Sequence, residues 1–143
     1  MSEENFSELI ETARQARMQS IAPFSNFLVG AALKTAAGKV YTGCNVESAS
    51  YGLTVCAERV AIWKALSEGE RHFTELAVVA NTETLTPPCG TCRQIIHEFC
   101  GDEATIILAN LHGQTETCQM KELLPRAFDA RFLIGAAKDA ANE

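Results

Sequence analysis

Three cysteines and a glutamate stand in two short blocks of this chain: Thr54-Val55-Cys56-Ala57-Glu58-Arg59 and Pro88-Cys89-Gly90-Thr91-Cys92-Arg93-Gln94. Each block runs into a helix-like segment. Cys89 and Cys92, two residues apart, can turn toward one metal ion, and Cys56 reaches it from another element. Helix N-termini present unpaired N–H groups and partial positive charge, which favour the thiolate that metal ligation requires. Three protein ligands leave a fourth tetrahedral position for water, the arrangement of catalytic rather than structural zinc. Glu58 can face that position without ligating and take a proton from the water. Three thiolates on Zn²⁺ leave a net charge of about −1. Arg59 can offset it by hydrogen-bonding a ligand sulfur.

Taken alone, the cysteines also allow a structural zinc knot, redox chemistry or buried thiols, and Glu58 also reads as an ordinary helix-start acid. A structural site calls for a fourth Cys or His. His97, five residues after Cys92, points away from it on a helix. His72 and His112 read as loop histidines, and Cys44, Cys100 and Cys118 as small core residues.

The surrounding pattern supplies elements to hold these residues. Apolar positions at helical spacing predict a helix over about Ser2–Gln19. Phe27–Thr35 and Val40–Cys44 read as a hairpin across Ala36-Ala37-Gly38-Lys39. Residues 45–53 read as a polar loop, Thr54–Ser67 as a helix ending near Gly69, and Leu76–Ala80 as a buried strand. A loop to Pro88, a helix over Gly90–Phe99 and a second buried strand over Thr105–Ala109 follow. A short strand and a short helix around Lys121–Leu124 close the core. The order α-β-β-α-β-α-β-β predicts one mixed sheet flanked by helices.

The composition narrows the partners. The chain has 143 residues, one ordinary domain, and 47% of them are apolar, enough for a sizeable core. With a net charge of −6 and scattered Lys and Arg, it lacks the basic footprint of a polymeric nucleic-acid binder. A small molecule is the easier substrate. Met1-Ser2-Glu3-Glu4-Asn5 shows no secretory pattern and no window has the apolar length of a membrane span, so a cytoplasmic location and no membrane partner are expected.

Beyond the two blocks, Pro23 to Leu33, Gly43-Cys44-Asn45-Val46-Glu47-Ser48-Ala49-Ser50-Tyr51-Gly52, and Glu122 to Phe128 complete a pattern that resembles the cytidine deaminase family in its short, three-cysteine form. The resemblance covers most of the chain from Pro23 to Phe128. It implies an α/β fold, three-layer α-β-α with one mixed five-stranded sheet. It implies a single domain over 1–143, its core about 20–128 and its tail 129–143. It implies one Zn²⁺ per chain on Cys56, Cys89 and Cys92, with Glu58 carrying protons while water replaces the amine at C4 of cytosine. The Ala57 N–H would support the pyrimidine carbonyl, Asn45 and Glu47 the ribose hydroxyls, and Phe27 would pack on the nucleoside. Phe128 would stack on the base from a neighbouring subunit, and Ala49 and Tyr51 would also reach a neighbour's site. The resemblance thus implies a homotetramer with shared active sites. Two positions depart from the family: Phe24 stands where Tyr is common, and Pro87 where Ser is common.

The expected activity is hydrolysis of free cytidine and 2′-deoxycytidine to the uridines and ammonia, in pyrimidine salvage. An aminohydrolase of N4-substituted or blasticidin-like cytosine nucleosides is the alternative. A non-catalytic zinc module is the alternative of a different class, against which Glu58 and the missing fourth ligand argue.

Overall fold

Apolar runs along three central strands, buried on both faces of one sheet, organise the molecule. The computed structural model describes residues 4–135. Its sheet has five strands: β1 (Val29–Thr35), β2 (Val40–Cys44), β3 (Phe73–Ala80), β4 (Thr105–Ala109) and β5 (Thr115–Gln119), in the spatial order β2-β1-β3-β4-β5. All pairs are antiparallel except β3 with β4, which is parallel. That parallel pair needs a crossover, which α3 (Gly90–Cys100) supplies.

Successive strand residues point to opposite faces, so each central strand feeds two cores. Ala32, Ala77, Val79, Ile107 and Ala109 meet Leu9 and Ala13 of α1 (Glu4–Ala16) on one face. Ala31, Leu33, Leu76, Val78, Ile106 and Leu108 meet α2 (Ala57–Ser67) and α3 on the other, through Ala61, Ile62, Ala65, Cys92 and Ile96. Each large side chain buried this way contributes about 1.5–3 kcal/mol. The result is a three-layer α-β-α sandwich around one mixed five-stranded sheet, as the sequence led us to expect. The core reaches further toward the N-terminus than residue 20, because α1 forms a whole layer. α1 lies close on the sheet: a β-carbon on Gly30 would sit 2.0 Å from the Ala13 carbonyl oxygen.

Several elements differ from the sequence reading: α1 ends at Ala16, with a 3-10 turn over Arg17–Gln19, and α3 runs one residue further, to Cys100. α2 begins at Ala57 rather than Thr54, because Val55 pairs with Val46 through two backbone hydrogen bonds of 3.0 Å. β1 begins at Val29 rather than Phe27, and the Asn45 side chain takes the place of a strand partner there. β3 begins at Phe73, three residues earlier than expected, where Thr35 pairs with it beyond an irregularity in β1. Residues 51–53 form one 3-10 turn within the expected loop. Short helices α4 (Met120–Leu123) and α5 (Arg131–Ile134) end the described chain.

Candidate active site

The two helices that follow β2 and β3 begin side by side, and each begins with a thiol. Cys56 is the N-cap of α2 and Cys89 the N-cap of α3, both in extended backbone conformation, and Cys92 lies in the first turn of α3. The three sulfurs lie within 4.8 Å of one another, and Cys56 Sγ and Cys89 Sγ are 3.8 Å apart. Thiolates at about 2.3 Å around a tetrahedral zinc are themselves about 3.8 Å apart, so the sulfur spacing fits that ion.

The electrostatics fit it as well. The neighbouring Cys92 thiol, then Arg59 and Cys89, pull Cys56 down to about 5. Its closeness to Cys56 pushes Cys92 up, with burial adding to the effect. A divalent cation removes this competition for one proton, since thiolates are the metal-binding form. Arg59 Nη2 lies 3.6 Å from Cys56 Sγ, and its guanidinium sits 5.8 Å from the centre of the Trp63 ring. Arg93 fixes the second block from behind, donating to the carbonyls of Pro88 (2.8 Å) and Leu123 (3.0 Å).

Glu58 is 4% exposed, and burial pushes its carboxyl up to about 7, with the neighbouring Cys56 thiolate adding to the rise. A carboxyl in that range can both accept and return a proton near neutral pH. It opens onto a cavity of about 250 Å³ lined by Phe27, Asn45, Glu47, Cys56, Ala57 and Cys89, with Val29, Thr54, Val55, Val78, Thr86 and Pro87 completing the wall. A wider, open cleft of about 890 Å³ beside β5 contains neither Glu58 nor any of the three thiols. The chemistry therefore belongs to the smaller cavity.

The Val46–Val55 bridge explains how Asn45 and Glu47 arrive there. Segment 45–47 is held on its other side by Ile21, whose N–H donates to Asn45 O and whose carbonyl accepts from Glu47 N. Alternation in this extended stretch sends Asn45 and Glu47 to the same side, next to Cys56. Asn45 is buried; its Oδ1 accepts from Val29 N at 2.9 Å and its Nδ2 donates to Phe27 O at 2.7 Å. Each amide function keeps further bonding capacity. Glu47 accepts from the N–H groups of Phe24 (3.0 Å) and Ser25 (3.1 Å) and from the Ser25 hydroxyl, which holds its carboxyl below the usual range.

The structure does not bring every expected residue to the cavity. Ala49, Tyr51 and Phe128 lie outside its lining and are exposed. The Tyr51 ring meets Phe24 edge-on at 6.1 Å, and Phe128 stacks on Phe132 at 5.7 Å. Sequence reasoning missed Thr54, Val55 and Thr86 as wall residues. Their nearness to Cys56 and to the Pro87-Pro88-Cys89 segment was the available signal.

An α-β-α sandwich with a cysteine-built metal centre at two adjoining helix N-termini defines the class of this protein. Residues 3–109 match the cytidine and deoxycytidylate deaminase zinc-binding region. A cytidine deaminase of Sporosarcina psychrophila is 47% identical over 131 residues, 92% of this chain and 96% of that protein. One from Halalkalibacterium halodurans is 50% identical over 122 residues, 85% of this chain and 92% of that protein. The crystal structure of cytidine deaminase from Burkholderia pseudomallei superposes with a TM-score of 0.84 at 46% identity, covering 90% of this chain and 100% of that one. The chain belongs to the cytidine and deoxycytidylate deaminase zinc-binding family.

Proposed function

We propose that this protein hydrolyses free cytidine and 2′-deoxycytidine, consuming one water and releasing uridine or 2′-deoxyuridine and one ammonia. The observation that carries this reading is the convergence of Glu58, Asn45 and Glu47 with the thiols of Cys56 and Cys89 on one small cavity. Cys56, Cys89 and Cys92 would hold one zinc ion. When bound, zinc supplies Lewis-acid activation of water at neutral pH.

The chain's own groups account for the rest. Glu58 takes one proton of the attacking water and delivers it to cytosine N3, then takes the second from the hydroxyl added at C4 and passes it to the departing amine, leaving the C4 carbonyl. Its raised carboxyl suits repeated transfer in both directions. The Ala57 N–H opens α2 and has no partner within the helix, so it is free to support the pyrimidine carbonyl. Asn45 and Glu47 receive the ribose hydroxyls, and Phe27 covers the nucleoside. The Pro87 carbonyl remains available to the leaving amine, although the Ser common at this position is absent.

Phe128 stacks on the base in a neighbouring subunit, and Ala49 and Tyr51 complete a neighbour's site. This reading is supported by their absence from the cavity of their own chain and by the apolar surface of Phe24, Tyr51, Leu53, Phe128 and Phe132, each more than half exposed. We infer a homotetramer with shared sites, a single domain and a cytoplasmic location. Among the described residues no helix is long and apolar enough to cross a membrane.

The test is ammonia release from cytidine, 2′-deoxycytidine, cytosine base and an N4-substituted cytidine, with metal analysis. Turnover of the two plain nucleosides with one zinc per chain is expected. Turnover of the N4-substituted compound alone would replace the substrate assignment. Sedimentation as a stable, active monomer would overturn the shared-site arrangement.

A further inference from the structure

His97 lies on the opposite end of α3 from the thiols, and both of its ring nitrogens face carboxylates. Nδ1 is 2.8 Å from Asp102 Oδ1 and Nε2 is 2.9 Å from Asp129 Oδ2. A neutral imidazole carries one N–H, so one of these contacts would set a lone pair against a carboxylate oxygen. The imidazolium donates to both. The ring is 9% exposed and Asp129 is 14% exposed, so this pairing is shielded more than a surface ion pair.

The same helix face makes a second contact one residue earlier in the C-terminal segment. Gln94 Nε2 donates to the Phe128 carbonyl at 2.6 Å. Gln94 and His97 are three residues apart and therefore neighbours on α3. Consecutive residues 128 and 129 are thus fastened at two points, directly after buried Ala127. The Phe128 ring itself is 59% exposed and stacks on Phe132, which is also more than half exposed. Its place is set through its backbone. The helix that sets it also carries Cys89 and Cys92, so clamp and thiols share one rigid element.

We propose that His97, as an imidazolium between Asp102 and Asp129, is a positioning residue that pins the Phe128–Asp129 segment to α3 and so fixes where Phe128 meets a nucleoside. The nucleoside half rests on the base-stacking reading of Phe128 given above; the clamp itself does not. The titratable groups around the ring are Glu98 on its own helix, Asp102 after it, and Asp129 and Arg131 on the C-terminal segment. Arg131 donates to both Asp129 oxygens. The Asp129 carboxylate first, then Asp102, raise His97 above its ordinary value, against desolvation. With a raised folded-state value, the clamp is complete below about pH 6.5 and is lost as pH rises through the higher value.

His97→Gln and the more exposed Asp129→Asn test this in the zinc-loaded enzyme. Both should raise KM for cytidine about three- to tenfold with kcat within about twofold. Both should speed amide hydrogen exchange over residues 128–135 and keep one zinc per chain. In the wild type KM should climb as His97 deprotonates, a limb that His97→Gln lacks. Phe128→Ala should raise KM similarly, and adding His97→Gln to it should add nothing. Unchanged exchange in both single variants overturns the clamp. A KM increase that persists in full on the Phe128→Ala background overturns its action through Phe128. If Phe128→Ala leaves KM unchanged, the base-stacking reading falls, while faster exchange in His97→Gln still upholds the clamp.

Discussion

Gly43 and Ala57 touch backbone to backbone: a β-carbon on Gly43 would lie 2.2 Å from the Ala57 carbonyl oxygen and 2.6 Å from the Ala61 amide nitrogen. Gly43 belongs to β2, and Ala57 stands between a metal-ligand candidate and the buried acid. This contact sets how deeply the first turn of α2 rests on the sheet, and hence where Cys56 and Glu58 project.

Gly43→Ala therefore must lift α2 or strain it. Backbone atoms offer no flexible end that could yield. A destabilisation of about 1–3 kcal/mol is expected, with reduced zinc occupancy. Gly52→Ala is the control, since a β-carbon there meets nothing within 4 Å. Thermal unfolding and zinc content of the two variants measure the difference. Equal stability and zinc content would remove Gly43 as a determinant of the site.

Cys92 is the fully buried member of the thiol cluster. Its sulfur cannot be replaced by a surface group, so Cys92→Ser should lose most of the bound zinc and all measurable deamination. Chelation of the wild type should do the same reversibly, with activity returning in proportion to zinc added back. Full activity after complete metal removal would sink the zinc assignment.

Glu58→Gln keeps the size and burial of the side chain but removes proton transfer. Ammonia release should fall by at least about 10²-fold. Zinc content should hold at one per chain, because the glutamate is not among the three clustered ligand atoms. A variant that loses zinc along with activity would instead make Glu58 part of the metal site.

The parts legible in the sequence are those fixed by local rules. Cys56, Cys89 and Cys92 announced themselves because metal ligation needs thiols at short spacing and helix N-termini to ionise them. Leu76–Ala80 and Thr105–Ala109 were visible as unbroken apolar runs. Other features depend on distant partners. Thr54-Val55 has the makings of a helix start, but Val46 captures Val55 in a bridge. Phe27 and Leu28 look like strand until Asn45 takes the Phe27 carbonyl and the Val29 amide. His97 could be rejected as a zinc ligand from helix geometry, yet its partner Asp129 is 32 residues away. Nothing local to the helix signals that pair.

Glu47 yields a prediction whose sign follows from its bonding. The Ser25 hydroxyl, then the backbone amides of Phe24 and Ser25, hold its carboxyl below the usual carboxylate range. A depressed folded-state value means the loop contacts are complete above the ordinary value and are lost as pH falls through the lowered one. Ser25→Ala removes the largest of these contributions. The Glu47 ¹³Cδ resonance should then titrate at a higher pH than in the wild type, moving back toward the value of a free glutamate. If Glu47 receives a ribose hydroxyl, KM for cytidine should rise on the acid side at a correspondingly higher pH in Ser25→Ala. Glu47→Gln should raise KM across the whole range and show no such limb. An acid limb of KM that stays at the same pH in all three proteins would separate Glu47 from nucleoside binding, whatever its resonance does.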